Sequence, residues 1–260
     1  MKEIVVEIIS IGEELLIGKV VNTNASWIAR KITEIGWKVR RIITVGDDVN
    51  EIVSVIHDSI NRGTNTIITT GGLGPTFDDK TMEAISKATN RPLKLSEEVL
   101  MNIEEKLRKK GRTLSEAAKK MAYIPDGSMI IHNNIGTAPG IILEYGKTII
   151  IALPGVPNEM IEMFEKEVIK FIGVKHRLKE KEILLFNVPE AELAPTLIEL
   201  MNEIPNIYIK SHPIIEVSEK PTLKIHIYSK NHSDDEWRKI IEKIIKKILE
   251  KHVYCEFKEV

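Results

Sequence analysis

The chain has 260 residues, 43% hydrophobic and 29% charged, and 37 basic against 38 acidic side chains leave a net charge of -1. This length suits one large domain or a medium domain followed by a smaller one. The balanced charge excludes an overall field for nucleic acid or an anionic membrane.

A single cysteine, Cys255, excludes an internal disulfide and fits a cytoplasmic protein. Glu3 and Glu7 interrupt the N-terminal apolar run, which therefore reads as no signal peptide. No segment is apolar for long enough to span a bilayer. Abundant Ile, Lys and Glu with few aromatics fit a thermophile.

In chain order, residues 4–11 read as a buried strand rich in Ile and Val. Residues 22–34 read as a helix that Asn22 or Asn24 caps and Gly36 ends. Residues 37–45 form a second strand, Asn50 caps a second helix that stops near Gly63, and residues 65–70 form a third strand. A helix over 79–89 follows. This βαβαβα order predicts an α/β fold with an open, mostly parallel sheet and helices on both faces.

Helices at 96–110 and 114–123 come next, then strands at 129–132, 140–143 and 148–153. Pro154-Gly155-Val156-Pro157 opens a helix over 158–172, since proline at a first helical turn forfeits only an N–H without a partner. Residues 173–181 read as a linker. Beyond it lie a strand (182–188), a helix (190–203), strands (207–210 and 222–228) and a helix (234–251). The predicted domains are 1–174 and a small α+β unit, 175–260.

The most informative stretch is residues 69–81, TTGGLGPTFDDKT. Gly71, Gly72 and Gly74 allow positive φ and leave backbone N–H groups uncovered. Such groups beside a helix N-terminus attract phosphate. The acids Asp78 and Asp79 can hold a divalent cation on the same phosphate. The alternative is a tight strand-to-helix turn in which one of these acids caps the helix. No Lys-Ser/Thr pair follows, so the turn is no P-loop, and GxGxxG lacks its last glycine.

Ligands of open parallel sheets bind at the carboxyl ends of the strands. Glu13 and Asn22 to Asn24 follow the first strand there, and Asp47 the second. Residues 71–79 follow the third, and Gly155 to Asn158 the last of the first domain. Acids, donors and a divalent cation together suit phosphoanhydride cleavage.

The runs IGEELLIGKVVNTNASWIA, VGDD, TTGGLGPTFDDKT, NIGTAPG and LPGVPNEM, in this order over about the first 170 residues, resemble the CinA family of competence- and damage-inducible proteins. The glycine-acid run is similar to the wider molybdopterin-binding fold of the MoaB/Mog type. Leu73 departs from the GGTG usual there, while Asp79-Lys80-Thr81 supplies the Asp-x-Thr.

The resemblance implies hydrolysis of ADP-ribose and related pyrophosphates with a divalent metal (Mg, Co or Mn) and potassium. It also implies functional aspartates at Asp79 and Asp47, a KH-like second domain and a homodimer. The nicotinamide-nucleotide amidase domain of longer relatives has no counterpart in this sequence.

On this reading Gly71, Gly72, Gly74, Thr76, Asn22, Asn24, Gly155 and Asn158 contact phosphate or nucleotide. Asp78 and Asp79 hold the metal, and Asp47 or Glu13 orients water. Two other outcomes stay open: a pterin or nucleotide carrier without turnover, and adenylylation of molybdopterin. The second domain lacks a GxxG loop, which argues against RNA, and its lysine-rich last helix reads as a solvated face on a core-packed stripe. The histidines lie apart without zinc-ligand spacing, and His212 follows a strand where it could reach a ligand.

Overall fold

The computed structural model describes residues 4–176, 178–214, 221–229 and 232–259. The chain divides into two units, Met1–Lys175 and His176–Val260.

The first unit opens with β1 (Val5–Ile11), α1 (Glu13–Leu16), α2 (Thr23–Glu34), β2 (Lys38–Val45), α3 (Val49–Asn61), β3 (Thr66–Thr70) and α4 (Thr81–Thr89). An excursion outside the main sheet follows: β4 (Leu93–Leu95), α5 (Glu97–Lys109), α6 (Glu116–Lys120) and β5 (Tyr123–Pro125). It closes with β6 (Met129–Ile131), β7 (Gly140–Tyr145), β8 (Thr148–Leu153) and α7 (Pro157–Met163), which a π-helical segment, Phe164–Val168, joins to α8 (Ile169–Ile172).

The main sheet has the order β2-β1-β3-β8-β7-β6. β2, β1, β3 and β8 run parallel; β7 turns back antiparallel to β8, and the edge strand β6, antiparallel to β7, runs with the parallel set again. Side chains of successive strand residues leave on opposite faces. Ile9, Ile67 and Ile150 thus enter one core with Ile52 and Ile56 of α3 and Ile85 of α4. Ile8, Ile68 and Ile151 enter the other, with Ile28 and Ile32 of α2 and Phe164. A sheet covered on both faces explains why its strands read as nearly continuous apolar runs.

Several boundaries differ from the sequence reading. Asp48, not Asn50, caps α3, accepting the N–H groups of Asn50 and Glu51 at 2.8 and 3.1 Å. Asn22 caps α2, and Asn24 lies inside that helix. The expected helix over 114–123 shrinks to α6, because Tyr123–Pro125 pairs with Leu93–Leu95 as a two-stranded ribbon. The helix after the glycine turn starts at Thr81, with Lys80 as a cap that makes no side-chain bond. Neither Asp78 nor Asp79 is spent on capping.

The second unit runs β9 (Lys179–Phe186), α9 (Glu190–Glu203), β10 (Ile207–Ile214), β11 (Thr222–Ser229), α10 (Asp234–Lys251) and β12 (Glu256–Glu259). The expected linker therefore ends earlier, at β9, and β12 is a strand that the sequence reading lacked. Neighbours in the sheet order β10-β11-β9-β12 all pair antiparallel. A βαββαβ chain with this order is a ferredoxin-like arrangement.

Leu193, Leu197 and Leu200 of α9 and Ile241, Ile244 and Ile248 of α10 pack with Ile183, Leu185 and Ile225. The lysines of α10 are less free than a solvated face implies: Lys247 pairs with Glu199 at 3.0 Å and also with Glu203. His212 lies exposed within β10. Among the described residues no helix is long and apolar enough to cross a membrane.

Candidate active site

The carboxyl ends of the parallel strands are tied to one another by backbone bonds. The N–H of Gly12 donates to Val45 O at 3.0 Å, and that of Gly71 to Leu153 O at 3.0 Å. The loops after β1, β2, β3 and β8 therefore start side by side. Together they line a cavity of about 390 Å³, and Gly12, Asp47, Gly72, Asp79 and Gly155 are among its walls. That volume lies in the range of small-ligand pockets. A second recess of about 110 Å³, lined by Asn22 and Asn24, shares Glu14, Gly71 and Gly155 with it.

The glycine turn is held in a conformation that requires glycine. Gly71 has φ 109° and Gly72 φ 65°. A Cβ on Gly71 would collide with the Ile11 carbonyl oxygen, and one on Gly72 with the Thr81 hydroxyl. Thr81 pins the turn, its hydroxyl donating to Gly71 O at 2.7 Å and its N–H to Gly72 O at 3.1 Å. The Asp-x-Thr threonine is thus a structural clamp. Because Gly71 spends its N–H on Leu153, it offers none to a ligand. Gly72, Leu73 and Gly74 have N–H groups without acceptors among the described residues. Leu73 is buried in the core yet borders the cavity.

Five carboxylates line the same cavity: Glu14, Asp47, Asp78, Asp79 and Glu159. Asp79 Oδ2 accepts the N–H of Thr76 at 2.8 Å and lies 2.6 Å from the Thr76 hydroxyl oxygen. The same hydroxyl reaches Asp78 Oδ1. The single Thr76 hydroxyl proton can be donated to only one of the two carboxylates at a time, so the other approaches that oxygen without a donor. The Thr76 hydroxyl, Asp78's own N–H and, more weakly, Lys120 hold the Asp78 carboxyl below its usual range, against a small opposing effect of burial. Lys120 is otherwise engaged, donating to the carbonyls of Thr76 and, at 2.7 Å, Asp79.

Opposite them, Asn133 shapes the NIGTAPG loop. Its Oδ1 accepts the N–H groups of Ile135 and Gly136 at 3.1 and 2.7 Å. Its Nδ2 donates to Ala138 O at 2.9 Å and to Glu159 Oε2 at 2.6 Å. Lys106 reaches the Asn133 and Gly136 carbonyls from beneath. Burial pushes its ammonium pKa down, and Glu159 and Glu162 offset part of that.

The structure redistributes some of the expected roles. Asp47, Asp78, Asp79, Gly71, Gly72, Gly74 and Gly155 meet at the cavity. Thr76 stands behind the two acids rather than in the wall. Glu13 does not line the cavity: its side chain covers Gly46 and its N–H donates to Asp47 Oδ2 at 2.9 Å. Its neighbour Glu14, folded over Gly12, lines both recesses instead. Asn158 is exposed and lines neither; Glu159, the next residue, does.

Asn22 is occupied as a cap, its Oδ1 accepting from Ala25 N at 3.1 Å and from Ser10 Oγ at 3.2 Å. Asn24 donates to Thr70 Oγ1 at 3.0 Å and Gly155 O at 2.8 Å. Its buried Oδ1 has no partner among the described residues. Glu14 and Glu159 could be found in the sequence only as second members of acidic or polar pairs, where one neighbour is as good a candidate as the other.

A family model described as "Probable molybdopterin binding domain" matches residues 7–173. A protein of Pyrobaculum arsenaticum is 42% identical over 246 residues, which span 94% of this chain and 92% of the relative. One of Sulfurisphaera tokodaii is 42% identical over 246 residues, spanning 94% of this chain and 93% of its own. The crystal structure of the protein CinA, of unknown function, from Thermoplasma acidophilum superposes with a TM-score of 0.60 at 36% identity, covering 65% of this chain and 98% of that one. The chain therefore belongs to the family of the probable molybdopterin binding domain, and its first unit is CinA-like.

Proposed function

We propose that the first unit hydrolyses a nucleoside diphosphate derivative of the ADP-ribose type with the help of a divalent cation. One observation carries the reading: carboxylates and unpartnered backbone N–H groups from loops far apart in sequence line a single cavity. Carboxylates alone would repel a diphosphate. The donor set fits a hard cation, because it consists of oxygens and the two carboxylates Asp78 and Asp79 share a single hydroxyl donor.

Asp78 and Asp79 are the residues that would hold a Mg²⁺, Mn²⁺ or Co²⁺ ion. Such an ion supplies charge neutralisation at the phosphate oxygens and acidifies bound water. The N–H groups of Gly72, Leu73 and Gly74 donate to the phosphates. Asp47, held by the Glu13 amide through one oxygen, keeps the other to accept a proton from water. Asn24 Oδ1 is an acceptor for a hydroxyl of the ligand in the smaller recess. Water added across the diphosphate linkage of ADP-ribose yields AMP and ribose 5-phosphate.

The test is AMP release from ADP-ribose by the full chain with each of the three ions. Asp79→Asn and Asp47→Asn, with unfolding curves unchanged, are expected to lower turnover about 10²-fold or more. Absence of AMP with every ion overturns the reading. The family match to residues 7–173 favours a second outcome, pterin or nucleotide binding without turnover, which calorimetry without product formation would reveal. Self-association as a homodimer belongs to the same proposal and is decided by sedimentation of the full chain.

A further inference from the structure

The outer face of the second unit's sheet brings together metal-ligating side chains that the sequence keeps far apart. In the β9–β11 pairing His226 stands opposite Glu182. Strand alternation sets Glu180 on the same face as Glu182. His226 Nε2 and Glu180 Oε1 are 2.6 Å apart. One ligand atom from each of Glu180, Glu182 and His226 lies within 4.8 Å of the other two. An ion bound at about 2.0–2.2 Å to nitrogen and oxygen holds its ligands some 3–3.5 Å apart, so small rotamer changes gather this set.

We propose that Glu180, Glu182 and His226 form an open three-ligand site for a first-row transition cation, with Zn²⁺ the best fit. The imidazole decides the class. A nitrogen donor beside two carboxylates suits Zn²⁺, Co²⁺ or Ni²⁺ better than Mg²⁺ or Ca²⁺, which take oxygen. The ring is held by its neighbours: Tyr228 packs on His226 at 5.3 Å between centroids, and Tyr208 packs on Tyr228 at 5.0 Å. In the ion-free chain Lys224 lies 3.2 Å from Glu182, an ammonium that an incoming cation displaces. The competing account is a cross-strand His–Glu ion pair, which would stabilise the sheet slightly and bind nothing.

The two accounts separate in a Zn²⁺ titration followed by calorimetry. The parent is the full-length Asp78→Asn/Asp79→Asn double variant, which removes the first unit's proposed cation ligands and makes the result independent of the hydrolase reading. The parent is expected to bind a single equivalent of Zn²⁺. Adding His226→Ala, or Glu180→Gln with Glu182→Gln, should weaken binding at least about tenfold, the lower bound known for losing even a supporting contact. On the unmutated chain, the ¹⁵N signals of the His226 ring should shift with Zn²⁺ and stay still with Mg²⁺. A parent that binds no Zn²⁺, a His226→Ala form that binds as the parent does, or ring signals that ignore Zn²⁺ would each overturn the site.

Discussion

Asp47 Oδ2 accepts the backbone N–H of Glu13 at 2.9 Å, latching the loop after β2 to the loop after β1. The same aspartate lines the main cavity. A latch and a catalytic carboxylate make different demands on this side chain. The latch needs only an acceptor oxygen, which asparagine also has, whereas water activation needs the negative charge. Asp47→Asn is therefore expected to keep the melting temperature and lose turnover, while Asp47→Ala loses both. Parallel melting and AMP-release measurements on the two variants distinguish the roles, and full turnover in Asp47→Asn would leave Asp47 as a latch alone.

The glycines make a graded series. A Cβ on Gly71 would meet the fixed Ile11 carbonyl at a positive φ of 109°. Gly71→Ala is expected to cost about 3 kcal/mol, measured by urea unfolding, because neither backbone can yield. Gly18 has φ 70° but open space around it, so Gly18→Ala should cost only the left-handed strain, about 1 kcal/mol. At Gly155 a Cβ would sit 3.4 Å from Gly71 Cα, an ordinary contact. Gly155→Ala should fold normally and weaken ligand binding by narrowing the cavity.

Far from the cavity, at the other end of β1, Glu7 is fully buried. Arg62 grips it through Nη2 at 2.6 Å and Nε at 3.2 Å, and Ser59 Oγ donates at 2.8 Å. Burial raises the carboxyl pKa, but the hydrogen bonds from Arg62 and Ser59, with the positive charge of Arg62, outweigh it, and the net shift is downward from 4.5. The unfolded chain therefore binds the proton more readily. This contribution to stability is complete above the unfolded pKa and is lost as pH falls through the lower folded value. Glu7→Gln should cost about 3 kcal/mol at neutral pH, the lower end for breaking a buried pair because Arg62 can reach solvent. It should also flatten the acid limb of the stability curve, as urea midpoints between about pH 3 and 7 would show.

The legible part of the molecule was the part governed by period and punctuation. β1 and β3 are apolar runs bounded by turn residues, and α2, α3 and α10 repeat apolar positions at helical spacing. The glycine turn and its acids stood out as a cluster, although a tight strand-to-helix turn with an acidic cap would read the same way in the sequence. Illegible features depended on partners distant in sequence. β4 and β5 are short segments that exist because each pairs with the other. β12 is strand only against β9. The choice of Glu14 over Glu13 follows from the path of α1, a helix of 4 residues that no periodicity reveals. Asp48 displaced Asn50 as a cap by a two-residue shift that both side chains could serve.

Thr81 gives the sharpest test of how the turn is made. Its hydroxyl is fully buried and donates to the carbonyl of Gly71 at 2.7 Å, in the same turn that presents the N–H groups of Gly72 to Gly74. Valine keeps the shape of threonine but leaves that carbonyl unsatisfied, at a cost of about 1–3 kcal/mol. Thr81→Val is expected to lower stability by that amount and also to weaken phosphate binding, because the turn loses its clamp. Serine restores the hydroxyl and opens only a methyl-sized void, so Thr81→Ser should recover most of the binding. Inorganic phosphate or AMP titrated into the three proteins measures this. Equal affinity in all three would mean that the turn holds its shape without the clamp, and that the Asp-x-Thr threonine serves the core rather than the cavity.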